Sequence, residues 1–168
     1  AVGSQIPVSA QGYPISVGGA GSNSTFSTIT SARGGSGGPD SFDAGNPGGS
    51  GGGGNRTTGG SGNVPPVSPP QGNPGGSGPN PDDTRHGSGG GGAGGTGGNG
   101  ASFSSRGGPG VATSITGSST TFSQGGNPAR PDVPTTPTAA NSGNGGSGGG
   151  RSGAQSGIVV IRYKFQQS

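Results

Sequence analysis

Glycine and proline constrain this chain more than any other feature of its sequence, since 47 of its 168 residues are Gly and 16 are Pro. Both residues break helices, and the strong helix formers Leu, Met and Glu are absent. The sequence therefore excludes a helical bundle. It also excludes a doubly wound α/β fold, because that class needs apolar buried strands that alternate with helices. Without Cys, a disulfide scaffold or a thiolate metal site is impossible.

A core of side chains cannot hold a chain of this composition. Hydrophobic residues make up 20% of the chain, against roughly 45–50% in an ordinary domain. Ordering a residue costs roughly 1–2 kcal/mol of backbone entropy, and Gly loses the most. Composition by itself therefore favours disorder. An ordered fold would need dense hydrogen bonding between closely packed Gly-rich backbones, packing against other copies or partners, or both.

The Gly-rich stretches are periodic. Residues 91–100 consist of three Gly-Gly-X triplets followed by Gly100, and a three-residue spacing of Gly also runs from Gly45 to Gly54. A period of three is typical of a polyproline-II-type helix, which has three residues per turn and no internal hydrogen bonds. Buried backbone groups must still be paired. We therefore predict a bundle of such helices, bonded to one another with Gly at the contact rows; the alternative is a set of flexible Gly/Ser linkers.

Four stretches are predicted to form short strands: parts of 1–17, residues 24–30, the hairpin 110–123 and the apolar run 156–165. Alternation predicts that Val159, Ile161, Tyr163 and Phe165 face whatever core exists. The whole last strand is the candidate core and assembly strand, with residues Ile158, Val159, Val160, Ile161, Tyr163 and Phe165. The predicted fold class has no helix, with mixed short β-strands, Gly-rich polyproline-II or polyglycine-type segments and much irregular coil.

The chain is predicted to be a single Gly-rich domain over 1–168. Its parts fall into three kinds, namely β-rich (1–31, 110–123 and 156–166), Gly-rich (33–62, 87–100 and 143–153) and Pro-rich excursions (63–86 and 127–141). Pro favours extended, stiff backbone. We expect the Pro-rich parts to lie at the surface or to contact another subunit.

Little in the sequence points to chemistry. The net charge is +3 and the Arg residues are scattered, whereas nucleic-acid binding normally needs a basic patch. No apolar run approaches the ~20 residues of a membrane span. His86 is the only His, and no base and nucleophile are paired by spacing. We therefore expect no enzyme activity, no cofactor, no metal, no nucleic-acid partner and no membrane span. The densest polar cluster, a candidate receptor-contact loop, contains Asp82, Asp83, Arg85 and His86.

Five ordered elements carry a family resemblance: 13–21, 21–31, 63–72, 110–119 and 156–163. In this order they resemble Gly-rich structural proteins of tailed bacteriophages, of the tail-fibre or receptor-binding type, and the resemblance covers nearly the whole chain. It implies a tail or head fibre at the virion surface, with other virion proteins as partners, a host glycan or protein as receptor, and a homotrimer as the assembly. An extracellular structural or ice-binding polyglycine-type bundle is the alternative.

Overall fold

The computed structural model describes residues 9–39, 43–78, 87–100, 105–128 and 157–162. No helix occurs in these ranges, and the strands are short and antiparallel, so the predicted fold class is confirmed. The strands form a three-stranded and a two-stranded sheet, and the rest of the described chain is irregular or Gly-rich backbone.

The first sheet contains β1 (Ile15–Ser16), β2 (Ser24–Phe26) and β3 (Ile29–Ser31), in the order β1-β2-β3. The predicted single strand over 24–30 is thus two strands joined by a reversal, in which Phe26 pairs with Ile29. Ser27 lies between them with φ of +53°, a left-handed conformation that few non-Gly residues adopt. Alternation of apolar and polar residues did not reveal this turn, because neither turn residue is Gly, Asn or Asp.

The second sheet is the predicted hairpin. β4 (Val111–Thr113) pairs with β5 (Thr120–Phe122), so that Val111 lies opposite Phe122. Gly117 in the connection has φ of +97°, which a residue with a side chain adopts only with strain. The hairpin prediction is confirmed, with shorter strands and a longer connection than expected.

Nine extended segments without strand partners form the body of the protein. We number them in chain order as g1 (33–38), g2 (43–46), g3 (48–55), g4 (57–63), g5 (72–78), g6 (87–93), g7 (94–100), g8 (105–110) and g9 (123–128). Within the described residues, positive φ values of Gly occur only at Gly21 and Gly117, outside these segments. The positive φ values that do fall in these segments belong to terminal residues, Asn63 at the end of g4 and Ser123 at the start of g9.

Hydrogen bonds between the segments recur every three residues. From g3 to g5, Gly51 N donates to Asn73 O (3.0 Å) and Gly54 N to Gly76 O (3.0 Å). The same spacing of three residues between donor amides recurs in three other segment pairs. The donors are Gly75 and Gly78 from g5 to g4, Ser88 and Gly91 from g6 to g3, and Gly90 and Ala93 from g6 to g9. Successive residues thus point to different neighbours, and every third residue returns to the same one. This is the three-residue turn of a polyproline-II-type helix.

The order of donors and acceptors also gives the direction of each segment. In the bonds between g3 and g5, the residue numbers of donor and acceptor increase together, so these two segments are parallel. Between g5 and g4, Gly75 N donates to Gly60 O and Gly78 N donates to Thr57 O. The residue number of the acceptor falls as that of the donor rises, so this pair of segments is antiparallel. Applied to all nine segments, the bonds give strict alternation: g1, g3, g5, g7 and g9 run one way and g2, g4, g6 and g8 the other.

Two segments lie at the centre of the bundle. g3 is hydrogen-bonded to g1, g2, g4, g5 and g6, and g6 to g3, g5, g7, g8 and g9. Most of their Gly residues are buried. Outer segments such as g1 expose part of their length to solvent. The bundle therefore has an inside and an outside, as a globular core does.

The interior consists of main chain. No large hydrophobic side chain in the described part of the chain is buried. The buried residues there are Gly, together with Ser88, Ser105 and Pro128. A Cβ on Gly52 would lie closer than 3.0 Å to atoms of Ser36 and Gly37, a separation that real Cβ atoms essentially never show. Gly is required at such sites because the neighbouring backbones already occupy that space.

The end of the described chain differs from the strand predicted there. Residues 157–162 form no strand in the single chain, and their one described main-chain bond to another segment runs from Gly157 N to Gly18 O (3.2 Å). Ile161 was expected to face a core, but its exposed fraction is 53%. The β-branched sequence favours a strand, yet no neighbouring strand in the described residues supplies the hydrogen bonds that a strand needs. Tyr163 and Phe165 lie outside the described residues.

Candidate functional site

The alternating directions give the bundle two distinct ends. At one end, β3 leads into g1, residues 63–71 connect g4 to g5, a tight turn connects g6 to g7, and the β4–β5 hairpin connects g8 to g9. We call this the sheet end. Both sheets and the described Pro-rich connection thus lie at the same end of the body.

The opposite end, which we call the loop end, is where the other connections begin and finish. g3 turns into g4 there through Arg56, which has φ of +59°. g5 finishes at Gly78 and g6 begins at Gly87, and these two residues therefore lie at the loop end. The predicted receptor-contact residues Asp82, Asp83, Arg85 and His86 belong to the connection between them and lie outside the described residues.

Exposed apolar side chains concentrate at the sheet end. The large hydrophobic residues that are exposed in the described chain come from β1 and its flank, from β3, from the Pro-rich connection and from the terminal segment that bonds to Gly18. They are Ile15 (50%), Val17 (50%), Ile29 (47%), Val64 (39%), Val67 (41%), Ile158 (40%) and Ile161 (53%), and we call them the apolar patch. None of them belongs to the loop end.

Side-chain amides hold the sheet end together. The Ala32 amide donates to Gln71 Oε1, which links the start of g1 to the Pro-rich connection (2.5 Å). The Arg33 amide donates to Asn23 Oδ1 (2.8 Å), which links g1 to the first sheet. These bonds hold the first sheet and the Pro-rich connection to the start of the same bundle segment, g1.

Asn63 organises the Pro-rich connection. Its Oδ1 accepts from the amides of Val67 (3.2 Å) and Gln71 (3.2 Å), and its Nδ2 donates to Val67 O (3.0 Å). Asn63 has φ of +54°, a conformation that Asn tolerates better than most residues. One side chain therefore closes a loop that holds Val64 and Val67 at the surface.

Tyr13 and Phe26 form the one ring stack in the described residues, with centroids 5.8 Å apart and planes inclined by 19°. The Tyr13 hydroxyl accepts a hydrogen bond from the Ser9 amide (2.9 Å) and lies 3.4 Å from Ser9 Oγ. The side-chain contact with Ser9, followed by its amide, lowers the pKa of the Tyr13 phenol below its usual value of 10.0. The stack places Tyr13 against half-buried Phe26 of β2, which is a packing role.

Asparagine is the residue type whose role the sequence did not reveal. Asn73 Nδ2 donates to Gly92 O (3.0 Å) and Ala93 O (3.1 Å), and Asn99 Oδ1 accepts from the Ser77 amide (2.9 Å). Asn127 Oδ1 accepts from the Gly107 amide (2.9 Å). Each of these side chains replaces a main-chain partner between segments. The signal was present in the position of each Asn directly after or within a Gly run.

The described residues hold few groups that could take part in acid–base or metal chemistry. Asp43 is the only carboxylate side chain in the described ranges, which contain no His, and they hold no group of His, Cys, Asp and Glu that could bind a metal ion. In the same ranges no helix is long and apolar enough to cross a membrane. What the described chain offers is a rigid body with an apolar end and a loop end.

Comparison with known proteins identifies the family. The family model of the glycine-rich domain matches residues 2–164. No curated protein and no solved structure matches the chain. The match spans nearly all of the 168 residues, and the structure accounts for the family's name, since its core is built from Gly backbone. The chain belongs to the glycine-rich domain family.

Proposed function

We propose that the chain is a structural component of a bacteriophage virion surface, a part of a tail or head fibre that also attaches to a host receptor. The observation that carries this proposal is the polarity of a rigid, Gly-cored body. Its apolar end suits assembly, and its loop end suits the display of a recognition surface.

A backbone core is suited to such a part. The central segments fix their amides and carbonyls to neighbours on several sides, so that bending the body would break many hydrogen bonds at once. Because the inside holds almost no side chains, connections at either end can differ in sequence without disturbing the packing. Loops on a rigid scaffold are a common site of recognition.

The second support is the resemblance of five ordered elements to Gly-rich proteins of tailed phages. Four of them correspond to parts of the sheet end, namely the first sheet (13–21 and 21–31), the Pro-rich connection (63–72) and the hairpin (110–119). Elements that this chain has in common with those phage proteins thus lie at one end, which suits a shared surface for attachment to the virion. The proposal accordingly places the sheet end toward the virion and the loop end toward the host.

The location can be tested on purified particles of the phage that encodes the chain. An antibody raised against the purified protein, coupled to gold, should label the fibres of the tail or head in electron micrographs. The control is the same antibody after absorption with the protein. Particles that contain no peptide of this chain by mass spectrometry would refute the proposal.

Receptor attachment needs a separate test. Replacing Asp82, Asp83, Arg85 and His86 with Ala in the phage should lower adsorption to host cells while particle yield stays the same. Thr58→Ala is the matched control, because Thr58 is exposed near the start of g4 at the loop end. Unchanged adsorption of the fourfold variant would show that this loop does not contact the receptor.

The alternative function, ice binding, requires a flat face of regularly spaced Thr. In the described bundle segments Thr occurs at Thr57, Thr58 and Thr96, where two are adjacent and the third lies on a different segment. This spacing does not form a row. A thermal hysteresis measurement separates the two functions. Under our proposal the protein does not bind ice, so it should produce no gap between the melting and freezing temperatures.

A further inference from the structure

The sheet end contains a strand edge that could accept another strand and a segment that could supply one. The strand edge belongs to β3. β3 (Ile29–Ser31) pairs with β2 on one side only, and no other described strand pairs with its outer edge. All three of its residues are exposed. A strand edge of this kind presents unpaired amides and carbonyls and is a ready template for another strand.

The segment that could supply a strand is the terminal segment 157–162. Its sequence is the longest run of β-branched residues in the described chain, Ile158 to Ile161, and such residues strongly favour strands. It nevertheless forms no strand in the single chain. A strand former and a strand edge, neither of which has a strand partner among the described residues, therefore lie at the same end of one protein.

We propose that the apolar patch is the surface through which two copies of this chain associate, with the terminal segment of one copy added as a strand to the β3 edge of the other. This inference deepens the proposed function, because it names the surface that joins the copies. It follows from complementarity within the chain: the occupant must offer a strand with unpaired main-chain groups and apolar side chains, and 157–162 of a second copy offers both.

The available area fits a contact of modest strength. A Val or Ile side chain has roughly 60–120 Å² of apolar area to bury, and about half of that is exposed in each member of the patch. The patch therefore supplies roughly 200–400 Å² per copy, against about 450 Å² of apolar area in each half of a standard interface. The apolar area thus lies below that of a standard interface, and we expect a weak association.

Charge provides a way to distinguish this partner from another. The charged side chains next to the patch are Arg33 and Arg162, both exposed. Two copies would bring arginines toward each other, and added salt screens that repulsion. Self-association should therefore tighten as salt rises from about 0.02 to 0.3 M, whereas docking to an acidic partner protein would weaken.

The test is sedimentation velocity of the full chain between about 1 and 500 µM, a range that brackets weak association. The wild type should form a larger species at the upper concentrations. Ile29→Asp and Ile161→Asp should each weaken association at least tenfold, while Thr58→Asp, which adds the same charge at the loop end, should not. At concentrations too low for association, melting temperatures should stay equal, because all three positions are exposed.

Hydrogen exchange of the wild type locates the contact without any variant. Amides of 29–31 and 158–161 should exchange more slowly at high than at low concentration. A protein that stays monomeric throughout, an association that both patch variants leave intact, one that salt weakens, or protection gained elsewhere would each overturn the inference. None of these results bears on particle labelling, so failure here and failure of the proposed function remain distinguishable.

Discussion

Gly52→Ala tests whether main-chain contact holds the bundle together. Gly52 lies in central segment g3, and its added Cβ would collide with the backbone at Ser36 and Gly37. Gly52 also donates to Asn46 O (2.9 Å) and accepts from the Gly60 amide (2.8 Å). A methyl group cannot enter unless g1 and g3 separate.

The cost follows from those contacts. Forcing an extra methyl into a packed interior costs about 1–3 kcal/mol, and one buried main-chain group left without its partner costs about 1–3 kcal/mol more. The expected loss is about 2–6 kcal/mol of the free energy of unfolding, a large share of the 5–15 kcal/mol typical of domains. At about 2–4 °C per kcal/mol for a chain of this size, the melting temperature should fall by roughly 4–24 °C.

Gly19→Ala is the matched control, because the substitution is chemically identical. A Cβ on Gly19 meets nothing within 4 Å. The unfolded chain loses entropy with Ala, so this variant should gain about 0.4–1 kcal/mol. Calorimetry and urea titration of both proteins measure the difference. If the two variants melted at the same temperature, close approach of backbones would not be what stabilises this protein.

Three further changes test individual features. Ser88→Ala should raise the free energy of unfolding by about 1–3 kcal/mol in urea titration, because the Ser88 hydroxyl is buried and has no hydrogen-bond partner among the described residues; a loss of that size would show that the hydroxyl is satisfied. Asn63→Ala should lower stability by about 1–3 kcal/mol and increase proteolytic cleavage between residues 63 and 71, since it removes the bonds that close this connection; unchanged cleavage would contradict the role assigned to Asn63. In a Tyr163→Phe background, absorbance titration should show a Tyr13 midpoint below 10.0, because Ser9 lowers the pKa of the Tyr13 phenol. A group with a lowered pKa in the folded state stabilises it increasingly as pH rises through that pKa toward 10.0, so the melting temperature should rise slightly across that interval relative to Tyr13→Phe. A midpoint at or above 10.0 would contradict the Ser9 contact.

The kind of core could be predicted from the sequence, because it follows from what the chain lacks. With so few apolar residues, only main-chain pairing could stabilise an ordered structure, and a Gly period of three indicated the helix that allows it. The hairpin was also predictable, since Gly117 separates two β-branched runs. These inferences depend on residue types that restrict the backbone strongly.

The positions of the turns could not be predicted. The heptapeptide Gly-Asn-Pro-Gly-Gly-Ser-Gly occurs at 45–51 and at 72–78. The first copy contains the reversal between g2 and g3, whereas the second is the straight segment g5. The triplet run 91–100 likewise reverses between g6 and g7, where Gly92 N donates to Gly95 O (2.9 Å). Gly permits both extended and turning backbone, so the neighbouring segments in the fold determine whether a Gly-rich sequence turns or continues straight.

The sheet end was foreseen in its parts and not in its arrangement. The sequence indicated the strand regions, with β2 and β3 predicted as one strand, and the Pro-rich connection, but their position at one end depends on the direction of every segment between them. The apolar patch was missed for the same reason. The strand at 156–165 was predicted to be a core and assembly strand with Ile161 facing a core, and the exposed fraction of Ile161, 53%, shows that the single chain does not cover this side chain.

Residue-resolved hydrogen exchange of the native protein tests the central claim most directly. The amides of Gly51, Gly52 and Gly54 in g3 and of Gly91 and Gly92 in g6 donate to neighbouring segments deep in the bundle. We predict that these glycine amides exchange as slowly as those of an ordinary hydrophobic core, near the limit set by global unfolding. Exchange of the same amides at the rate of an unstructured chain would contradict a core made of paired main chain.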